Sequence, residues 1–341
     1  ATYSLPRNTV VGLEGVLLNS VGNGPASRPL NDRLGGAHLA TSLGGTADLY
    51  GEYVARSARY YKIDPKAKDE GHAGYASATF YLGRVQVLSE YKDMLRYKLL
   101  GLGQSAGGSG ASTLINPPTG IRQHASTLLN RGGHTPNIDL DDERGGKVET
   151  FVTVNERTRL IGAFSRTEAR HQHQPSREAY GEIEHWLTDR AELVLRAGET
   201  EEIVIEGGDE IFDERITYSA TSLIPFSETV SLEVGLETQG TQEENRSTRA
   251  FQRALDFRDT ILSATLSRAP NVSFALTTEW SDSPKEKEDV WMWGECNLRL
   301  GERHQLLLGA GKLRGGQLCS GGVCKLVDPF EGGRIEFLTT F

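Results

Sequence analysis

The stretch Val230-Ser231-Leu232-Glu233-Val234-Gly235-Leu236-Glu237 decides the fold, because apolar residues fill every even position and polar residues or glycine every odd one. Successive side chains of a β-strand point to opposite faces, so a period of two predicts a strand with one apolar and one polar face. The same alternation runs through 272–280 and, with one exception, through 84–92. The chain is therefore predicted to be all-β.

Many such strands occur either in a soluble sandwich or barrel, or in a membrane barrel with an apolar outside and a polar lumen. The connections decide between them, because long and tight ones alternate, as in outer-membrane barrels with long extracellular loops and short periplasmic turns. We predict one domain, 1–341, folded as a transmembrane antiparallel up-and-down β-barrel of about 16 strands. The alternative is 14 strands, because 191–204 and 211–223 alternate poorly. The predicted strands are 8–17, 34–43, 46–57, 74–82, 85–94, 147–156, 158–167, 178–189, 191–204, 211–223, 228–238, 248–268, 271–281, 289–299, 303–313 and 332–341.

The composition excludes two classes of protein. The 341 residues include 46 acidic and 37 basic side chains, and a net charge of −9 argues against nucleic acid as a partner. No run of 18 apolar residues exists, which excludes a helical membrane protein. Residues 1–4 do not resemble a targeting segment, so we expect a mature chain whose signal peptide has already been removed.

The segment 95–146 is the longest predicted connection, with 52 residues, and it contains a glycine-rich stretch at 107–110. A loop of this length is normally functional or disordered. It can fold inward and constrict the lumen of a wide barrel, cap the barrel from outside, or be disordered. Residues predicted to line the pore or its constriction are Glu52, Arg56 and Glu90 on strands, Arg84 directly before the strand 85–94, and the loop cations Arg122, His124 and Arg131.

Further charged residues are predicted to point inward, with an acidic excess that would favour cations mildly. Alternatively, these charges pair across the wall and fill a closed barrel. The remaining inward candidates are Asp48, Lys92, Glu149, Glu233, Glu237, Glu295 and Arg299.

Two of the three cysteines, Cys319 and Cys324, bracket a glycine-rich stretch of four residues. In an oxidising compartment this spacing allows a local disulfide. A metal site would need two further ligands, and none is adjacent, so we predict neither a metal nor a cofactor. The third cysteine, Cys296, shares the apolar side of its strand with Met292 and Leu298 and is interpreted as a lipid-facing or packed thiol.

The tail Arg-Gly-Gly-Gln-Leu-Cys-Ser-Gly-Gly-Val-Cys-Lys at 314–325 resembles a family of uncharacterised bacterial outer-membrane β-barrel proteins, as do Asn116-Pro117-Pro118 and the stretches 128–131 and 141–145. On the last strand, Ile335, Phe337, Thr339 and Phe341 share a face. This arrangement resembles the insertion signal read by the barrel-assembly machinery, with Phe337 and Phe341 as its aromatic residues. The resemblance implies the fold and the outer membrane of a Gram-negative bacterium, and no catalytic residues.

We expect an outer-membrane channel of the porin type, for ion transport or passive passage of small hydrophilic solutes, with 95–146 setting the size limit. The alternative is a plugged structural barrel within an outer-membrane protein complex. No Ser–His pair or paired acids with a histidine identify an enzymatic barrel, so we predict no enzyme activity. The expected partners are outer-membrane lipid, the assembly machinery, and other outer-membrane or periplasmic proteins.

Overall fold

A computed structural model of the chain describes residues 2–5, 9–19, 29–60, 68–96, 124–131, 142–169, 174–206, 208–247, 255–301, 303–320 and 323–340. Its elements are β1 (Thr2–Leu5), β2 (Thr9–Asn19), β3 (Pro29–Leu43), β4 (Ala47–Tyr60), β5 (Lys68–Leu82), β6 (Val85–Leu95), α1 (Thr127–Arg131), β7 (Glu143–Asn155), β8 (Thr158–Ala169), β9 (Gln174–Trp186), β10 (Glu192–Glu206), β11 (Asp209–Pro225), β12 (Val230–Asn245), β13 (Leu255–Arg268), β14 (Val272–Ser281), β15 (Val290–Leu300), β16 (His304–Leu313), β17 (Gly316–Ser320), β18 (Val323–Val327) and β19 (Phe330–Thr339).

Sixteen of these strands, β2–β16 and β19, form an antiparallel up-and-down series in one sheet. The hydrogen-bonded order runs β10 to β16, then β19, then β2 to β9, and β9 also pairs with β10, so the order returns to its start. The four-residue β1 adds a seventeenth strand to this sheet. The predicted all-β, 16-stranded up-and-down fold is confirmed.

The alternative of 14 strands is wrong, because the two poorly alternating segments are both strands. β10 pairs with β11 along all 15 of its residues, from Glu192 opposite Leu223 to Glu206 opposite Asp209. Backbone hydrogen bonds thus hold these strands where the side-chain pattern is irregular. The connection predicted at 205–210 shrinks to 207–208 for the same reason.

Two further differences concern the loops. β13 begins at Leu255, and the predicted start of this strand at 248–254 lies outside the described residues. The segment 314–331, predicted as a plain loop, contains the hairpin β17–β18, which forms a separate two-stranded sheet. Five residues on each side suffice for this pairing, which is too short to give a clear alternation signal.

The chain divides into two compact units. Unit 1 comprises 1–121, 136–150 and 163–177, and unit 2 comprises 122–135, 151–162 and 178–341. In unit 1, His38, Glu52, Tyr75 and Lys92 lie directly opposite one another across β3–β6 and so share a polar face. The neighbouring Tyr53 points to the other face and is exposed.

In unit 2, the polar face of β10–β12 carries the directly opposed residues Gly198, Thr217 and Gln239. The other face of unit 2 presents large apolar side chains that stay exposed: Leu195, Tyr218, Leu236, Leu262, Phe274 and Leu276. The pattern from which the fold was predicted thus separates two chemically different faces. Among the described residues, no helix is both long and apolar enough to cross a membrane.

Candidate functional site

The segment 124–131 of the long connection lies on the polar face of unit 2 and is held together by its own hydrogen bonds. The backbone N–H of His124 donates to Asn130 Oδ1 at 2.8 Å, and Asn130 Nδ2 donates to the carbonyls of His124 and Ser126 at 2.5 and 2.7 Å. The hydroxyl of Ser126 accepts from the N–H of Leu129 at 3.3 Å, the arrangement of a helix N-cap. These bonds close 124–131 into a compact turn that contains α1.

Glu237 of β12 binds the beginning of α1. Its carboxylate accepts hydrogen bonds from the hydroxyl of Ser126 at 2.7 Å and from the N–H groups of Thr127 and Leu128 at 3.1 and 2.8 Å. The first N–H groups of a helix have no partner within the helix, and a carboxylate also suits their partial positive charge. One side chain of the sheet therefore fixes both the position and the direction of α1.

Two further residues of the polar face complete this seat. Gln239 Nε2 donates to the carbonyl of Leu128 and to the hydroxyl of Thr217, both at 2.8 Å. Gly198 leaves room for Leu129, because a Cβ at position 198 would lie 2.5 Å from Leu129 Cδ2. Leu128 is completely buried as a result. We call Glu237, Gln239 and Gly198 the helix seat.

His124 joins the same segment to β9. Its Nε2 lies 3.0 Å from Glu178 Oε1, and its ring centroid lies 4.3 Å from that of Tyr180. Tyr180 donates its hydroxyl hydrogen to Glu182 at 2.5 Å, and Arg196 Nε donates to the same carboxylate at 2.7 Å. With only 3% of its surface exposed, His124 is a fixed contact and not a solvated loop residue.

A second long connection also reaches α1, because β17 packs against it. The chain is anchored two residues before β17, since Arg314 lies within 2.7–3.0 Å of the carboxylates of Asp259, Glu279 and Glu286. Burial lowers the pKa of Arg314, but the hydrogen bond to Glu279 and the charge of Asp259 outweigh it, so its pKa is raised. This guanidinium therefore stays charged and holds the base of the β17–β18 hairpin.

Unit 1 has a polar cluster of a different kind, in which charged side chains pair with one another. Lys92 Nζ lies 3.3 Å from Glu143 Oε2, and both side chains are buried. Lys147 Nζ lies 2.7 Å from Glu90 and 3.4 Å from Glu149. These ion pairs connect β6 with β7 without a loop segment between them.

The strand residues that were predicted to line the pore lie in different environments. Glu52 lies on the polar face and accepts the hydroxyl of Tyr50 at 2.8 Å, while Glu90 accepts that of Tyr75. Arg56 is buried and donates from Nη1 to the carbonyl of Arg96 at 3.0 Å.

Arg84 differs from these residues. It lies in the exposed turn 83–84, between the predicted strands 74–82 and 85–94, where Gly83 turns the chain with a φ of 64°. Its role in lining the pore stays a prediction.

Only some of the predicted loop and terminal residues lie within the described part of the chain. Arg131 is the last residue of α1, and Arg122 and Phe341 lie outside the described residues. Phe337 lies on β19 with 60% of its surface exposed. Cys319 and Cys324 lie directly opposite each other in β17–β18.

Cys296 is a free, half-buried thiol opposite Phe274 and Leu308.

Sequence reasoning missed most of the helix seat. Glu237 was expected to point inward, but its role at α1 was not foreseen, and Glu178, Gly198 and Gln239 were not singled out. A glycine inside a strand indicates a close approach of another group, and Gly198 carried that signal. In the described part of the chain, no cluster of three or more metal-binding side chains occurs.

No protein-family model matches the chain, and no curated protein matches it. Among solved structures it is similar to a bacterial polysaccharide outer membrane secretin (9% identity, 99% of this chain and 100% of that chain, TM-score 0.40). It is also similar to the outer-membrane expressed OmpT of Vibrio cholerae (9%, 99% and 98%, 0.44) and an anion-selective porin from Comamonas acidovorans (12%, 95% and 94%, 0.42). With such low values these likenesses carry no argument about function.

Proposed function

We propose that the chain is a bacterial outer-membrane barrel that passes small hydrophilic solutes through a lumen narrowed by the segment 124–131. The observation that carries this proposal is the helix seat, which fixes part of the longest connection on the polar face at the middle of β10–β12. A loop that capped the barrel from outside would contact strand ends instead.

The two faces of the sheet support a membrane location. Leu195, Tyr218 and Leu236 are large, apolar and exposed on one face, which is favourable against lipid and costly in water. Glu237 and Gln239 belong to the opposite face, which suits contact with water. The proposed partners are accordingly outer-membrane lipid and, during biogenesis, the barrel-assembly machinery, with Phe337 in the insertion signal. We propose that this barrel does not act as an enzyme.

The second candidate function is a plugged structural barrel, and the tight burial of Leu128 and His124 favours it. In this case the segment 124–131 closes the lumen, and the function of the barrel is to bind other outer-membrane proteins through its loops. The two candidates differ in whether the wild-type protein conducts.

Single-channel conductance in planar bilayers tests the proposal. The wild type is expected to conduct, and Glu237→Ala to conduct more, because the substitution removes three hydrogen bonds to the segment. The matched control is Glu233→Ala, which removes the same charge from the same face of β12, at an exposed position. A silent wild type with a conducting Glu237→Ala variant supports the plugged barrel, and silence of both contradicts the channel.

A further inference from the structure

A polar pocket lies at the turn end of unit 2, far along the strands from α1. It has a volume of about 490 Å³ and lies between the turns 269–271 and 301–303. The side chains that matter for its chemistry are Arg299, Arg303, Asn271, Asn297 and Gln305. Residues that carry two guanidinium and three amide groups therefore line one pocket, and no carboxylate belongs to the described residues that line it.

The strand register explains why these groups share a side of the sheet. Asn297 lies opposite Ser273, and Arg299, two residues further along β15, lies opposite Gln305. Alternate residues of a strand point to the same face, so Asn297, Arg299 and Gln305 face the same space.

Backbone hydrogen bonds hold the walls of this pocket in place. The N–H of Arg299 donates to the carbonyl of Asn271 at 2.8 Å, which ties β15 to the turn between β13 and β14. The carbonyl of Arg303 accepts from the N–H of Thr340 at 2.9 Å, which ties the next turn to the end of β19. The donors are thus carried by a fixed backbone, which lowers the entropic cost of binding a ligand.

Several other arginines of unit 2 lie beside carboxylates. Arg157 and Arg190, at other turns of unit 2, lie 3.8 and 3.6 Å from carboxylates of Asp189 and Glu228. On the polar face, Arg196 and Arg215 are also paired with carboxylates.

For Arg299 and Arg303, by contrast, no carboxylate partner occurs in the part of the chain that the structure describes. Two guanidinium groups without a described counter-charge, beside three amides, form an environment that favours an anion.

We propose that this pocket binds a phosphate group, carried either by a small organic solute or by a phospholipid headgroup. Guanidinium groups bind phosphate through paired hydrogen bonds, and a phosphate offers more acceptor oxygens than a carboxylate to the amides around it. The volume is within the range of small-molecule sites, so it accommodates an organic portion next to the phosphate. This site is independent of the channel proposal and would exist in a silent barrel.

Isothermal titration calorimetry on the full chain in neutral detergent at low ionic strength tests this site. The probes are glycerol 3-phosphate and dihexanoyl phosphatidic acid, each below any micelle-forming concentration, with glycerol as the uncharged control. We expect saturable binding at one site, weakened about tenfold by Arg299→Gln and by Arg303→Gln, since each removes a charge-assisted contact. Arg157→Gln is the matched control at another turn and is expected to leave binding unchanged.

The two probes distinguish the sources of the phosphate. Binding of glycerol 3-phosphate alone supports a free solute, and binding of the lipid alone supports a headgroup. No saturable binding of either probe, or equal binding by the double variant, overturns the proposal. Both arginines are exposed, so an unchanged circular dichroism spectrum and unfolding temperature are expected for the variants and show that a loss of binding is local.

Discussion

Two carboxylates on polar faces bind different kinds of partner: Glu143 in unit 1 and Glu237 in unit 2. Glu143 lies 3.3 Å from the ammonium group of the buried Lys92, a side chain of the neighbouring strand. Glu237 accepts from two backbone N–H groups and one hydroxyl, all on a segment 109–111 residues away in the sequence. One carboxylate thus links strand to strand, and the other links strand to loop.

The two contacts should therefore control two different properties: the first the stability of the sheet, and the second the position of the loop. Breaking the first contact leaves a charge inside the structure, whereas breaking the second leaves helix donors that can turn to water. Global unfolding should therefore respond to Glu143, and local opening of 124–131 should respond to the helix seat. The following substitutions test this division.

The largest expected effect is that of Glu143→Ala on the free energy of unfolding. Removing one partner of a buried ion pair leaves Lys92 without its nearest counter-charge, which costs about 3–5 kcal/mol. Urea unfolding in lipid vesicles, followed by tryptophan fluorescence, measures this loss. The double substitution Lys92→Met with Glu143→Leu should recover most of the stability, because two apolar side chains replace the pair.

The control for this experiment is an ion pair with one exposed and one half-buried partner. Arg159 lies 3.7 Å from Glu184, and 60% of its side chain is exposed. Glu184→Ala is expected to change the free energy of unfolding by about 0–1 kcal/mol, as for most surface pairs. Equal losses for Glu143→Ala and Glu184→Ala would contradict the assignment of Glu143 to strand-to-strand stability.

A smaller and purely local effect is expected for Gly198→Ala. The new Cβ would lie 2.5 Å from Leu129 Cδ2, so the side chain must move and the helix seat loosens by about 1 kcal/mol. Amide hydrogen exchange of 127–131 should become about fivefold faster, while the free energy of global unfolding stays unchanged. Gly181→Ala is the matched control on the adjacent strand, where nothing lies within 4 Å of an added Cβ.

A double substitution isolates the contact. In a Leu129→Ala background, Gly198→Ala should have no further effect, because the colliding atom is gone. If Gly198→Ala accelerates exchange equally in both backgrounds, the glycine is required for a reason other than space for Leu129.

The positions of the strands can be predicted from the sequence, because the alternation of apolar and polar residues is a local property. In the described chain the 16 strands of the up-and-down series lie near their predicted positions, and β11 differs from the predicted 211–223 by only two residues at each end. The same alternation indicated that Glu52, Glu90 and Glu237 each lie on a polar face of their strand. The tight turn predicted at 83–84 is where the structure has one, with Gly83 at a positive φ and Arg84 beside it.

The helix seat could not be predicted in the same way. Glu237 and Ser126 are 111 residues apart, and no local pattern reports which loop meets which strand. The sequence identifies His124 as a loop cation, but its contact with Glu178 depends on the fold of unit 2 as a whole. The proposed phosphate pocket is likewise assembled from two turns and the end of β19, although Arg299 and Arg303 are only four residues apart.

The smallest expected effect concerns the β17–β18 hairpin, where we propose a disulfide between Cys319 and Cys324. Directly opposed residues of an antiparallel pair have Cα atoms roughly 4.5–5.5 Å apart, within the range that a disulfide spans. Alkylation of the unfolded, non-reduced protein should modify Cys296 alone, and alkylation after reduction should modify all three cysteines. Because the hairpin is separate from the large sheet, Cys319→Ser should leave global unfolding unchanged and accelerate amide exchange only in 316–327. Three alkylated cysteines without reduction would contradict the disulfide, and the pairing of β17 with β18 would then rest on backbone hydrogen bonds alone.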